Sequence, residues 1–171
     1  MRKITILTVI GALTAALTGC AATGSSPMVT DTAGTCAGVR VVVEFTTLEA
    51  EPIDKCIATN ESVTALDALK TAGLEITGSQ EAGDNWICRV DGRPAADEEL
   101  STDTQGPFVE DCSAYGSGWA FWSLYVDSGS DWVAANEGVA TQKVKPGQAV
   151  AVVWQLTDDA ADLDAWQKPS V

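Results

Sequence analysis

The segment NESVTALDALKTAG (residues 60–73) has the periodicity of an amphipathic helix and sets the fold class of the chain. Val63, Leu66 and Leu69 recur at helical spacing, so they would share one face. Ser62 has the side chain of an N-cap, and Gly73 can adopt the left-handed conformation that commonly ends a helix. The pattern predicts one main helix of about three turns.

Strand patterns surround this helix on both sides. Arg40–Thr46 and Ile53–Thr59 precede it and predict a hairpin, while Asn85–Val90, Trp119–Val126 and Gln148–Leu156 follow it. A hairpin, one helix and three further strands are typical of an α+β domain, in which the helix packs on one face of a small mixed sheet. A β-grasp-like arrangement fits this order, and we expect that fold.

Composition excludes several functional classes. The chain has 171 residues and a formal net charge of −14, and 46% of its residues are hydrophobic against 20% charged, which suits one domain with a core. An acidic surface repels phosphate, so we expect no nucleic-acid partner. The chain contains no histidine. It therefore lacks the Ser-His-Asp and Cys-His catalytic arrangements and any histidine-containing zinc site.

The N-terminus has the layout of a secretion signal. A basic start at Arg2 and Lys3 precedes an apolar run, Ile4–Leu17, that is shorter than the roughly 20 residues a membrane span needs. The sequence LTGC (residues 17–20) resembles the lipobox of bacterial lipoproteins, in which the cysteine is diacylated and the chain is cut just before it. The alternative is an ordinary cleaved signal that happens to contain a cysteine.

The lipobox resemblance implies a signal peptide over residues 1–19, a lipid on Cys20 and a flexible tether over residues 20–35. We then expect the protein on the extracellular face of the bacterial cell membrane, held by its lipid anchor. Cleavage removes Arg2 and Lys3 but no acidic residue, so the net charge changes from −14 to −16.

Four further cysteines, an even number, indicate two disulfides in an oxidising compartment. They are Cys36, Cys56, Cys88 and Cys112. A four-cysteine metal site is the alternative, but zinc sites favour closely paired cysteines. Of the three pairings that four cysteines allow, the predicted topology favours Cys36–Cys56 across the first hairpin and Cys88–Cys112.

Aromatic residues are concentrated around the fourth predicted strand. Alternation along a strand would place Phe121 and Tyr125 on the same face as Trp119, with Trp122 on the other face, and Trp132 follows in a loop. Aromatic surface that the core does not need often marks a binding site, because it offers broad contact area with a polar edge. The alternative is that a small domain uses these rings as core.

The acidic clusters do not indicate catalysis. Runs such as Asp97–Glu99 and Glu110–Asp111 are usually solvated faces, and the acidic tail over residues 158–171 lacks the spacing and glycine of an EF-hand loop. That tail is expected to form a short helix or to remain loose. We assign no catalytic residue, no metal ligand and no cofactor, and we expect a binding protein rather than an enzyme.

Several short blocks resemble the transcobalamin-like C-terminal domain family in order and spacing. They are TALDAL (residues 64–69), CRVDG (88–92), GWAFW (118–122) with Tyr125, and KPGQ (145–148). The resemblance implies a domain of this family over residues 36–157, with a β-grasp-like fold. It also implies that Trp119, Phe121, Trp122, Tyr125 and Trp132 contact the ligand.

Together these expectations describe a lipid-anchored extracellular protein that binds a small flat ligand. The resemblance implies cobalamin or another corrinoid, delivered to a membrane importer for uptake. The alternative is a cell-envelope module that uses the same aromatic surface to bind another protein.

Overall fold

A computed structural model describes residues 36–127, 129–159 and 161–170. The described residues do not include the predicted signal peptide (residues 1–19) or the predicted tether (residues 20–35), which begins at Cys20 with its predicted lipid. Within the described part of the chain, no helix is long and apolar enough to cross a membrane.

A mixed sheet flanked by short strand pairs forms the framework. In chain order the strands are β1 (Val39–Glu44), β2 (Ile53–Ile57), β3 (Val63–Thr64), β4 (Ile76–Ser79), β5 (Gly83–Val90), β6 (Glu99–Leu100), β7 (Phe108–Val109), β8 (Ala120–Asp127), β9 (Trp132–Ala134), β10 (Lys143–Val144) and β11 (Ala149–Leu156). The central sheet has five strands in the order β2-β1-β11-β8-β9. Strands β1 and β11 are parallel, and the other neighbours are antiparallel.

The longer strands agree with the sequence patterns, and so does the fold class. Each of the five predicted strands overlaps one of β1, β2, β5, β8 and β11, and the first two form the predicted hairpin. Together with one short helix and two disulfides in the described residues, this mixed sheet makes an α+β domain. The two-residue strands, β4 and β9 were not predicted, because so short a run carries no measurable periodicity. Trp132 therefore lies in β9 and not in the expected loop.

The helix α1 (Ala65–Thr71) is shorter than predicted and has a different N-cap. Thr64, not Ser62, caps it, since the Thr64 Oγ1 accepts a hydrogen bond from the Asp67 N–H at 3.0 Å. The preceding residues cannot join the helix because β3 pairs with β10. At the other end Gly73 is left-handed (φ 81°), as predicted, and its N–H donates to the Lys70 carbonyl.

The first face of the sheet carries the main core. Alternate residues of β1, β8 and β11 pack against the buried face of α1, whose Leu66 and Leu69 contribute most of its apolar surface. This face is almost entirely hydrocarbon, and its aromatic members Trp122 and Trp154 meet edge to face at 5.4 Å.

The second face carries the side chains of Trp132 and Ala134 of β9, and it is covered by the C-terminal segment (residues 161–170), which contains a 3₁₀-helical turn at Leu163–Ala165. Trp166 packs edge to face on Phe121, with ring centroids 5.0 Å apart. The Gln167 N–H donates to the Gln155 Oε1 at 2.9 Å, and Gln155 Nε2 donates back to the Gln167 carbonyl at 2.8 Å. The end of the acidic tail is therefore attached to the sheet.

The disulfides are Cys36–Cys56 and Cys88–Cys112, the pairing that the predicted topology favours. Their Cα atoms lie 5.6 and 5.5 Å apart, which is the usual span of a disulfide. The first joins the strand β2 to the chain just before β1, and the second joins β5 to the loop that leads to β8.

Candidate functional site

The aromatic residues predicted to bind ligand do not form one exposed surface. Phe121, Trp122 and Tyr125 are buried, with 7%, 7% and 2% of their surface exposed, whereas Trp119 and Trp132 are half-buried. The alternation predicted for β8 explains this arrangement: Trp122 enters the first face, while Phe121 and Tyr125 enter the second. Both faces are covered, so most of this aromatic surface is used in packing.

The aromatic residues predicted to bind ligand have different neighbours. Trp122 contacts Phe45 and Trp154 in the main core, and burial raises the pKa of the Tyr125 phenol although Ser123 lies within hydrogen-bonding reach. Trp119 precedes β8 and packs edge to face on Phe108, at 5.6 Å, rather than on the face that holds Phe121.

Trp132 packs against the cluster that contains Tyr125, and it also lines a polar depression of about 380 Å³. Arg40, Asp127 and Asp131 share that depression. The Arg40 guanidinium is paired with Asp54, and this pairing lowers the pKa of the Asp54 carboxyl. The depression therefore offers charged groups that already have partners, and little apolar surface.

A cleft of about 440 Å³ lies beside β8, and most of its lining is apolar. Its walls come from β5, from the first half of β8, from residues 134–139 and from the C-terminal segment. Four aromatic residues line it: Trp86, Phe121, Trp122 and Trp166. Aliphatic side chains complete the walls, and the exposed Asn85, Asn136 and Glu137 supply the polar groups. No Lys or Arg of the described residues lines this cleft.

The cleft brings together two of the predicted ligand residues, Phe121 and Trp122, and adds two that the sequence patterns did not single out as ligand residues. Trp86 stands on β5, where it packs edge to face on the half-exposed Tyr115 at 5.6 Å. Trp166 lies in the C-terminal segment, which was expected to form a short helix or to remain loose. An aromatic residue in each of these segments was the available signal, but their meeting depends on how the chain folds back.

A buried carboxylate lies near the cleft. Glu110 is 4% exposed, burial raises its pKa, and its Oε1 accepts the Cys112 N–H at 2.8 Å. Glu110, Cys88 and Cys112 place ligand-type atoms within 4.8 Å of one another. Because both sulfurs are joined in a disulfide, no thiolate is available there to bind a metal.

Two further acidic residues, Glu98 and Asp158, have structural partners. Glu98 accepts from the Ala95 N–H at 2.8 Å and pairs with Arg93 at 3.3 Å. The Asp158 carboxylate accepts hydrogen bonds from the Thr102 and Thr104 hydroxyls, and these bonds lower its pKa. These two carboxylates hold loops in place through their hydrogen bonds.

A scan against protein-family models finds no match for this chain, and a search of the curated proteins finds no relative.

Proposed function

We propose that the protein is a lipid-anchored extracellular binding protein whose cleft beside β8 holds a small ligand. The single observation that carries the proposal is the cleft itself: a concave site of about 440 Å³ with aromatic walls and few polar groups. Small-molecule sites typically have this form, with volumes of roughly 300–1,000 Å³. Two disulfides support an oxidising compartment, and the predicted lipid on Cys20 supplies the anchor.

The transcobalamin-like resemblance and a β-grasp assignment belong to the same proposal. The parallel pair β1–β11 in a mixed sheet, with α1 on one face, supports that assignment. A corrinoid is the ligand that the resemblance implies. It is larger than the cleft, so one edge of the corrinoid would enter between Trp86 and Trp166 while the rest stayed outside.

The residues define how such a ligand would be held. Phe121 and Trp122 line the cleft and would contribute apolar contact, whereas Trp119, Tyr125 and Trp132 do not line it. Because the chain has no histidine, a bound corrinoid keeps its own axial base or takes water. Delivery of the ligand to a membrane importer would complete the uptake function.

Titration of the soluble domain with cobalamin, read by tryptophan fluorescence and calorimetry, tests the proposal. We expect quenching of cleft tryptophans and a saturable heat. Trp86→Leu should weaken binding by about tenfold, because it removes one aromatic wall.

Trp132→Leu is the matched control, since it replaces the same residue type outside the cleft. Unchanged affinity in Trp86→Leu combined with lost affinity in Trp132→Leu would place the ligand at the polar depression and contradict the cleft. Absence of binding to cobalamin at about 1 mM would remove the corrinoid.

A further inference from the structure

The edge of β8 that faces the cleft is only partly paired. Strand β9 pairs with Tyr125, Val126 and Asp127, and the last hydrogen bond on that side runs from the Ala135 N–H to the Leu124 carbonyl at 2.8 Å. After Ala135 the chain leaves the sheet and reaches the helix, where the Val139 carbonyl accepts the Leu66 N–H. Toward the start of β8, no further strand of the described residues pairs with this edge.

The direction of each main-chain group follows from two hydrogen bonds. In an antiparallel ladder a residue points its N–H and C=O to the same side, and successive residues alternate. The Trp119 carbonyl accepts the Thr157 N–H, on the β11 side, so the odd-numbered residues of β8 face β11. The Leu124 carbonyl bonds Ala135, on the β9 side, so the even-numbered residues face the cleft.

The open stretch is short and has defined ends. At its beginning the Ala120 N–H donates to the Ser117 Oγ at 3.0 Å. At its end the Leu124 carbonyl is taken by Ala135. Between them the Ala120 C=O, the Trp122 N–H and C=O and the Leu124 N–H lie on this side of β8, and Trp122 and Leu124 line the cleft.

We propose that this edge binds an extended peptide, which adds as a short strand beside residues 121–123 of β8, in the gap before Ala135. One central peptide residue would exchange two hydrogen bonds with Trp122, and its neighbours' side chains would rest on Trp86 and Trp166. Strand addition of this kind uses main-chain bonds for affinity and side-chain pockets for specificity. Buried main-chain groups generally have partners, and the added strand supplies them.

Charge indicates the composition of the peptide. Glu137 lies at the cleft. Two lysines are paired with acidic residues that are close in sequence to the cleft lining: Lys70 with Asp84 at 2.9 Å, and Lys168 with Asp131 at 3.6 Å. The chain as a whole is strongly acidic. A peptide with apolar central residues and basic ends therefore complements the site, and an acidic one is disfavoured.

The experiment uses a panel of acetylated, amidated pentapeptides of the form Lys-X-Y-X-Lys, in which X and Y are Val, Leu, Tyr or Phe. Binding to the disulfide-bonded domain is measured by calorimetry. We expect at least one member to bind below about 1 mM, and its Lys→Glu counterpart to bind at least about tenfold more weakly.

N-methylation of the peptide gives the decisive comparison. A methyl group on the central amide removes the hydrogen bond to the Trp122 carbonyl and should weaken binding by about tenfold or more. The same methyl group on the adjacent amide, which points away from β8, should change affinity by no more than about threefold. Equal effects of the two methyl groups would overturn the proposal, as would failure of the whole panel to bind.

Amide hydrogen exchange supplies an internal control. Peptide binding should slow exchange at the Trp122 amide, whereas the Phe121 and Ser123 amides already bond β11 and should be unaffected. Uniform protection across β8 would contradict strand addition.

The inference uses the same cleft as the proposed small ligand but does not rest on it. Peptide binding without cobalamin binding would support strand addition and exclude the corrinoid. Cobalamin binding without peptide binding would support the corrinoid and exclude strand addition.

Discussion

One face of the central sheet is covered by the helix Ala65–Thr71, and the other is covered by the C-terminal segment. The helix side is packed with hydrocarbon, including fully buried Leu69. The second side combines a smaller apolar cluster around Val42 and Tyr125 with buried polar groups, Ser123 and Gln155. Apolar packing needs no particular bond geometry, whereas the second face depends on hydrogen bonds that hold one specific segment. The following predictions test that difference.

Leu69→Ala should cause the largest loss. It removes a fully buried side chain from the helix side and leaves a cavity, so we expect the free energy of unfolding to fall by about 3 kcal/mol. Denaturant unfolding of the disulfide-bonded domain measures it. Leu69→Met, which conserves volume, should cost less than about 1.5 kcal/mol. A loss below about 1 kcal/mol for the alanine variant would show that this face is loosely packed.

Gln155→Leu should cost about 2 kcal/mol on the second face. Gln155 is 1% exposed, donates to the Ser123 Oγ at 2.7 Å and makes both bonds to Gln167, so leucine would leave those groups without a partner. The control is Gln167→Ala, because Gln167 uses only its main chain in these bonds. Equal losses of stability in the two variants would show that the Gln155 side-chain hydrogen bonds do not attach the C-terminal segment to the sheet.

Trp166→Ala should cost about 1 kcal/mol, because the half-buried ring leaves Phe121 but little cavity forms at the surface. Trp166 also lines the cleft, so ligand or peptide affinity should fall with it. Trp166→Phe keeps an aromatic contact and should restore most of both losses. Thermal unfolding and calorimetric titration give the two readouts, and affinity that survived in the alanine variant would exclude the segment from the site.

Asp54→Asn should have the smallest effect, at most about 0.5 kcal/mol. Asp54 accepts two bonds from Arg40, at 2.9 and 2.7 Å, but half of its side chain is exposed. Its pKa is lowered in the folded protein, so its contribution is present at neutral pH and is lost as the pH falls through that lowered pKa. Unfolding measured against pH should therefore show the variant and the native protein converging in acid. A difference that persisted in acid would contradict this assignment.

The sequence patterns predicted the elements that have enough residues to show a period. Strands β1, β8 and β11 and the end of the helix at Gly73 were located in this way. The start of the helix was wrong because Val63–Thr64 pairs with β10, a contact between distant parts of the chain. The preference of Ser62 for an N-cap position is a local property, so it could not predict the pairing of Val63–Thr64 with β10.

The candidate site was less predictable than the fold. The alternation along β8 was correct, yet it could not reveal that both faces would be covered. Trp166 packs on Phe121 next to the point where Gln155 binds the main chain of Gln167, and Trp86 lines the same cleft from β5. Trp86, Phe121 and Trp166 are far apart in the sequence.

The sequence by itself determined the acidic charge, the absence of histidine, the α+β order of elements and the disulfide-forming cysteines, because each depends on composition or on local periodicity. Tertiary structure alone decided which aromatic rings became core, where the cleft formed and where the edge of β8 stayed open. Those outcomes depend on the point at which β9 ends and on the return of the C-terminal segment, and both are set by contacts between residues far apart in the chain.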